Sequence, residues 1–306
     1  MYGTRARAFA KCRVIVVVYM AYILALGSAT LYGAADFLGG LASRQAATVV
    51  VVLTSQGVGL LLLVLLLPLL PEATPSSGDL VWGGLAGLAG GIGVALLYRA
   101  LAVGRMAVVA PVTAVCAVAI PLTVGVFLGE RLAWPTTLGV GLAIVAIVLV
   151  SQQGKGAPAE RGARTLPRGV GLALVSGVAI GLFFLALAET DAGAGMWPLV
   201  AARGVSITIF SAMALVSGQS LRMVPSVARI AVSAGVIDVC ANALYLVATR
   251  YGPLSVVVTL SSLYPASTVV LARVVIGERL NGWQAVGLAC ALAAVALIVG
   301  GSGSSS

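Results

Sequence analysis

Apolar residues fill this chain in ten long blocks, at roughly 20–41, 47–70, 80–101, 106–128, 133–152, 168–188, 196–217, 228–249, 254–276 and 282–300. A helix needs about 20 apolar residues to cross a bilayer, whereas a membrane strand needs about ten of alternating character. Lipid admits only helices and closed barrels. Continuous blocks of this length therefore predict an all-α integral membrane fold with ten transmembrane helices. Polar breaks are short except at 71–79 and 152–168. Trp82, Trp134, Trp197 and Trp283 each stand at the start of a block, where an amphipathic ring suits the headgroup layer. Pro135, Pro198 and Pro253 lie at or just before block starts, where a missing N–H costs nothing.

The blocks repeat. Gly129-Glu130-Arg131-Leu132 recurs as Gly277-Glu278-Arg279-Leu280, 148 positions later (277 − 129). The same shift carries Leu24, Ser28 and Gly33 onto Leu172, Ser176 and Gly181, and Gly104 and Gly139 onto Gly252 and Gly287. Ungapped self-similarity of this kind marks an internal duplication. The organisation read from it is a basic extension at 1–19, a first repeat at 20–152, a linker at 153–167, a second repeat at 168–300 and a flexible tail at 301–306. Five crossings per repeat is an odd number, so the second copy starts on the opposite side of the membrane, giving two inverted five-helix repeats.

Composition sharpens the picture. Only 9% of residues are charged and 60% are hydrophobic, against about 25% charged in a soluble domain. The net charge of +9 belongs to the N-terminal tail and the loops, where it bears on membrane orientation rather than nucleic acid. The tail residues Arg5, Arg7, Lys11 and Arg13 place the termini inside, whereas Arg44, Arg105 and the basic linker favour the opposite orientation. Met20 is a second candidate start. The apolar stretch after the tail runs on to about Leu41, too long for a signal peptide. There is no His, and Cys12, Cys116, Cys240 and Cys290 are scattered without metal spacing, so the expectation is buried free thiols, no metal and no cofactor. No nucleotide-binding G-x-x-x-x-G-K-[ST] motif is present.

Ionised groups inside such helices are costly and mark cavities or partners. Arg203 and Asp238 lie in the antiparallel seventh and eighth blocks at depths differing by about 6 Å, which predicts an ion pair, either structural or a substrate-binding or proton-linked one. Asp36 is expected nearer the opposite face, outside that pair, as a proton-coupling carboxylate or an interfacial one. Asn242 and Tyr245 share a helix face with Asp238. With Gln56, Tyr98 and Tyr264 they complete the candidate substrate-binding set. Tyr32, Ser261 and Ser262 are further hydrogen-bonding groups. Pro111 and Pro121 are expected to interrupt the fourth block and Pro265 the ninth, corresponding blocks of the two repeats, a pointer to a transporter's binding site. The glycine stripes Gly83-Gly87-Gly91 and Gly177-Gly181 read as close helix packing. Gly129, Glu130, Gly277 and Glu278 read as a structural motif, each carboxylate capping the helix that follows it and balanced by Arg131 or Arg279.

Ten blocks in two halves, each with Gly-Glu-Arg-Leu between its fourth and fifth blocks, resemble the drug/metabolite transporter superfamily, EamA type. The opening Leu31-Tyr32-Gly33-Ala34-Ala35-Asp36-Phe37-Leu38-Gly39-Gly40 resembles the first span of bacterial members. The resemblance implies a multi-pass carrier of the bacterial inner membrane for small metabolites, often an exporter of amino acids or related solutes, with both termini cytoplasmic. It carries no universal binding motif. The expected partners are a small-molecule substrate and the lipid bilayer, with no nucleic acid, in a monomer or homodimer. The rivals are an intramembrane enzyme, for which no nucleophile with a base is visible, a channel, and a structural subunit. Spans five and ten, apolar and without ionisable groups, are expected to be peripheral braces.

Overall fold

The computed structural model describes residues 2–70, 72–127, 134–150, 168–251, 257 and 260–302, with side chains from Tyr19 onward except at 122, 125, 126, 150, 192, 250 and 299–302. Ten α-helices lie among them. They are α1 (Tyr2–Ser43), α2 (Thr48–Leu66), α3 (Ser77–Val103), α4 (Met106–Phe127) and α5 (Trp134–Val150) in the first repeat. The second repeat contributes α6 (Val170–Ala188), α7 (Trp197–Val216), α8 (Pro225–Tyr251), α9 (Tyr264–Val275) and α10 (Gly282–Ser302). No strand occurs among the described residues. Six helices (α1, α2, α3, α6, α7 and α8) are long and apolar enough to cross a bilayer, and the described parts of α4, α5, α9 and α10 are apolar but shorter. Val81, Leu85, Leu88 and Ile92 of α3, and Val175, Val178 and Leu182 of α6, are exposed. Aliphatic stripes of this size facing outward belong against lipid. Trp134 and Trp283, at helix starts, are also exposed.

The expected boundaries hold within a few residues, with three differences. First, α1 begins at Tyr2, so the basic extension is continuous with the first span. Second, α4 runs unbroken through Pro111 and Pro121, correcting the expected interruption. Neighbouring helices re-satisfy the carbonyls that a proline frees in such a setting. The ninth block does break: residues 260–261 are helical, 262–263 form a turn, and Pro265 sits in the first turn of α9. Third, Cys240 is exposed and Cys116 and Cys290 are only partly buried. The expectation of buried thiols fails because the outer face of a helix here meets lipid, which accepts a thiol as readily as a core does. Cys12 has no described side chain. The linker and the first Gly-Glu-Arg-Leu segment lie outside the described residues.

The two repeats interleave. The α1 helix packs along α8, α9 and, more lightly, α3. Shifting by 148 residues gives the mates of the first two contacts, α6 along α3 and along α4. The α2–α8 contact has its mate in α7–α3. Two four-helix groups result, α1-α2-α8-α9 and α3-α4-α6-α7, each drawn from both repeats. They meet where α2 crosses α7, α1 crosses α3 and α4 crosses α9. Helices α5 and α10 pair with each other at the side and touch the groups mainly through α4.

Small residues permit this packing. There is no hydrophobic driving force between helices in lipid, so close backbone approach supplies the attraction. Gly83, Gly87 and Gly91 of α3 lie against Pro198, Ala202 and Ser206 of α7, where a Cβ would collide with backbone or a side-chain oxygen. Gly177 and Gly181 of α6 lie in the same way against α4. Ser176 donates to the Gly93 carbonyl (2.7 Å), and Ser28 donates to the Ala241 carbonyl (2.9 Å). These two serines are equivalent under the repeat, so the pseudo-symmetry extends to single hydrogen bonds.

Replacing Gly87 by Leu should therefore force α3 from α7 and lower stability by about 1–3 kcal/mol, the usual cost of overpacking. A thermal melt of the purified protein in detergent should show a clear fall. Gly171→Ala, at a position with no neighbour within 4 Å, should leave the melt unchanged.

Candidate functional site

Where the two four-helix groups meet, polar groups collect at mid-helix depth. Asp238 stands thirteen residues from either end of α8 (238 − 225 and 251 − 238). The exposed outer stripe of that helix is Val232, Val236 and Cys240. Asp238 lies about 200° round the helix from Val236, and Asn242 the same from Cys240, so both point inward. Arg203 projects from α7 and its Nη2 donates to Asp238 Oδ2. Its Nη1 donates to Gln56 Oε1 of α2 at 3.0 Å. Gly59 of α2 leaves the room, since any Cβ there would overlap the guanidinium. Asn242 steadies the acceptor by donating to the Asp238 carbonyl (2.8 Å) and to its carboxylate (3.3 Å).

The predicted Arg203–Asp238 pair is thus formed in the structure, and Gln56 and Asn242 complete a four-residue chain across the seam between the groups. The Arg203 side chain is 14% exposed and that of Asp238 31%. A carboxylate in this position remains charged at tolerable cost only with both a cation and some water.

Around the chain lie the other candidates. Asp36 of α1, seven residues before the end of that helix, is within electrostatic range of Asp238. The Ser28–Ala241 bond sets the antiparallel α1–α8 register and leaves Asp36 about five residues, roughly 7.5 Å along the axis, from the level of Asp238. Asp36 does not join the ion pair. Tyr98 of α3 is buried against Gly39, within electrostatic range of Asp36 and Asp238. Tyr264 begins α9 within range of Asp36. Tyr32 feels Asp238, Tyr245, Arg203 and Asp36 together. In the sequence Tyr32 is one polar residue among many. Being seven residues before Gly39 and one before Gly33 gives Tyr32 no distinguishing period.

The arrangement offers one guanidinium, two carboxylates and a ring of hydroxyls and amides. That set can bind a small molecule bearing a carboxylate and an amine, and it can hold or pass a proton. Among the described residues no cluster of His, Cys, Asp and Glu could hold a metal ion.

A second polar constellation lies at one face. Glu278 is expected from its position to cap α10, with Arg279 as its counter-ion. Instead its carboxylate accepts from the backbone N–H of Met106 (3.2 Å) and Ala107 (3.1 Å), the start of α4 in the other repeat. Its counter-ion is Arg44, at 3.2 Å. The positive end of α4 is nearer than that of α10 because Gly277 turns the chain. At φ 74° Gly277 adopts the left-handed conformation, and the Glu278 N–H returns to the Ala272 carbonyl (3.1 Å). This helix stop is a glycine-based cap, and it aims the next side chain across the seam. Glu130 lies outside the described residues.

Comparison with known proteins places the chain. The model of the EamA-like transporter family matches it twice, over residues 19–152 and 167–300. No curated protein matches it. A solved structure described only as "Crystal structure of protein" matches at 18% identity and a TM-score of 0.48, covering 94% of this chain and 96% of its own. At that score the likeness carries no structural argument.

Truncating either member of the mid-helix pair should strand the other charge. Arg203→Ala and Asp238→Ala should each destabilise by about 2–4 kcal/mol, the Asp238 exposure keeping the values below a fully buried pair. The double variant should cost less than the sum of the two, because no charge is then stranded. Thermal melts of the three variants form the cycle, and strict additivity would show that the two side chains do not interact.

Proposed function

The chain belongs to the EamA-like transporter family, and on that premise we propose a secondary transporter of small metabolites, cycling by alternating access between two inverted five-helix repeats that cross the membrane ten times. The observation that carries this reading is the Arg203–Asp238–Gln56–Asn242 chain. It crosses the seam between the two four-helix groups at mid-helix depth, with the Asp238 side chain 31% exposed. A purely structural pair would sit within one packed group. This one spans two groups that must separate for a central cavity to open.

The residues then have separate tasks. Arg203 exchanges Asp238 for a carboxylate of the substrate, and Asp238 is freed to hold an amine. Gln56 and Asn242 fix the two charges, and Tyr98, Tyr245 and Tyr264 supply hydroxyls and aromatic walls. Asp36, in range of Asp238, is the coupling-proton candidate. The bodies that rock are the two interleaved four-helix groups rather than the sequence repeats, because the extensive packing runs between repeats. Helices α5 and α10 brace them from outside. The setting is a bacterial inner membrane with export of amino-acid-like solutes, as a monomer or homodimer, and the lipid bilayer and the solute are its partners.

Purified protein in liposomes, tested by counterflow with a panel of amino acids and related zwitterions, should show saturable exchange. Arg203→Ala and Asp238→Ala, in variants that remain monodisperse, should each lose at least about tenfold in transport efficiency, equivalent to about 1.4 kcal/mol. Wild-type rates in both folded variants would remove the pair from the binding site. Flux that rises linearly with solute would indicate a channel instead.

A further inference from the structure

The two faces of the molecule are not closed alike. At one face the C-terminal ends of α1 and α3 meet the start of α4 and the turn between α9 and α10. Gly39 packs on the Tyr98 ring, and Gly40 packs on Leu101 and Met106. Tyr98, Leu101 and Met106 are all at or below 5% exposure. Under the repeat, the Gly39–Tyr98 contact corresponds to Leu187–Leu246 at the other face (39 + 148 and 98 + 148). Leu187 and Leu246 are only partly buried, and among the described residues α6 and α8 make no contact comparable to α1 with α3. The structure is therefore closed at the Arg44 end and looser at the Leu187 end.

Polar bonds cross the seam at the closed end. Arg44, on the turn that ends α1, donates to Glu278 (3.2 Å) and reaches the carbonyls of Leu101 (3.4 Å) and Gly104 (3.5 Å) at the end of α3. Glu278 caps the start of α4. Arg105, between α3 and α4, donates to Gln284 Oε1 (2.9 Å) and to the Arg279 carbonyl. Of these bonds, Arg44 to Leu101 and Gly104 and Glu278 to Met106 and Ala107 join one four-helix group to the other, Arg105 ties the turn between α3 and α4 to the start of α10 and the turn before it, and Arg44 to Glu278 stays within one group. The other repeat keeps the glutamate, as Glu130, but has Ala192 where Arg44 would be, Pro253 for Arg105 and Thr136 for Gln284 (each 148 residues away). The clasp is thus encoded once.

We propose that Glu278, aimed by Gly277 and neutralised by Arg44, is the latch that holds the Arg44 face shut, and that the transport cycle requires it to release the start of α4. The proposal rests on the alternating-access reading above. When the groups rock, the Glu278 carboxylate leaves the Met106 and Ala107 N–H groups, Arg44 leaves the end of α3, and Leu187 closes on Leu246 as Gly39 now closes on Tyr98. With no counterpart to Arg44 and Arg105, the opposite closed state lacks an equivalent set of cross-seam bonds. The resting protein accordingly favours the state seen here.

The test uses full-length protein in nanodiscs, with the native cysteines replaced and a single reporter cysteine added to each variant. Met106→Cys reports the Arg44 face, buried behind the clasp. Leu187→Cys reports the other face. In Glu278→Gln the Met106→Cys reporter should react with a hydrophilic maleimide on the order of tenfold faster, and Leu187→Cys should react correspondingly more slowly. Arg44→Ala should act in the same direction and serves if Glu278→Gln does not fold. Unchanged rates at both reporters would overturn the latch, and so would acceleration at both, which signals loosening rather than a switch. Failure of the transport reading would appear separately, as absence of saturable counterflow in the wild-type protein.

Discussion

An ionised side chain held between apolar helices needs an opposite charge and some residual water, and in this molecule that requirement falls on Arg203. Its position depends on a chain of small residues. The glycines of α3 let α7 approach until backbones touch, and Gly59 of α2 makes the space that the guanidinium occupies. Asp238 answers from α8, with Asn242 bonded one turn further along. Removing any of these would either misplace the cation or leave it without an anion. The packing and the candidate chemistry therefore share one set of constraints, and the glycine count of this chain belongs as much to the site as to the scaffold.

Interleaving of the repeats follows from the same need for close contact. Helices from one copy find their closest neighbours in the other, so the natural seam of the molecule does not follow the order of the chain. Arg203 and Asp238 both come from the second repeat, yet they lie on opposite sides of that seam, as do Glu278 and the start of α4. A bond that looks local in sequence becomes a bridge between bodies in three dimensions. The polar contacts of the mid-helix chain and of the Arg44 face both fall on that seam for this reason.

Much of this is legible in the amino-acid sequence. The duplication, the helix positions and the Arg203–Asp238 pair follow from block length, one fixed shift and the cost of charge in lipid. What is not legible has a common cause. Helical period tells which residues share a face but not which helix that face meets. That Asp36 comes within electrostatic range of Asp238 depends on the docking of α1 on α8, which cannot be inferred from either helix alone. Glu278 reads as belonging to α10 because a glutamate beside a helix start usually serves that helix, and only the left-handed turn at Gly277 redirects it. Prolines mislead for a related reason: Pro111 and Pro121 are accommodated inside α4, whereas Pro265 begins a helix after a turn.

Ser55 stands where the repeat would place a second Arg203, and Gly90 where it would place a second Asp238 (203 − 148 and 238 − 148). Two identical chains related by a two-fold axis could not achieve this, because every cation near their shared axis would face its own copy and the like charges would repel. Joining the copies in one polypeptide removes that obligation. Each member could then drift to a different polarity, and a single asymmetric dipole could be installed where symmetry would have demanded a balanced and mutually repelling set.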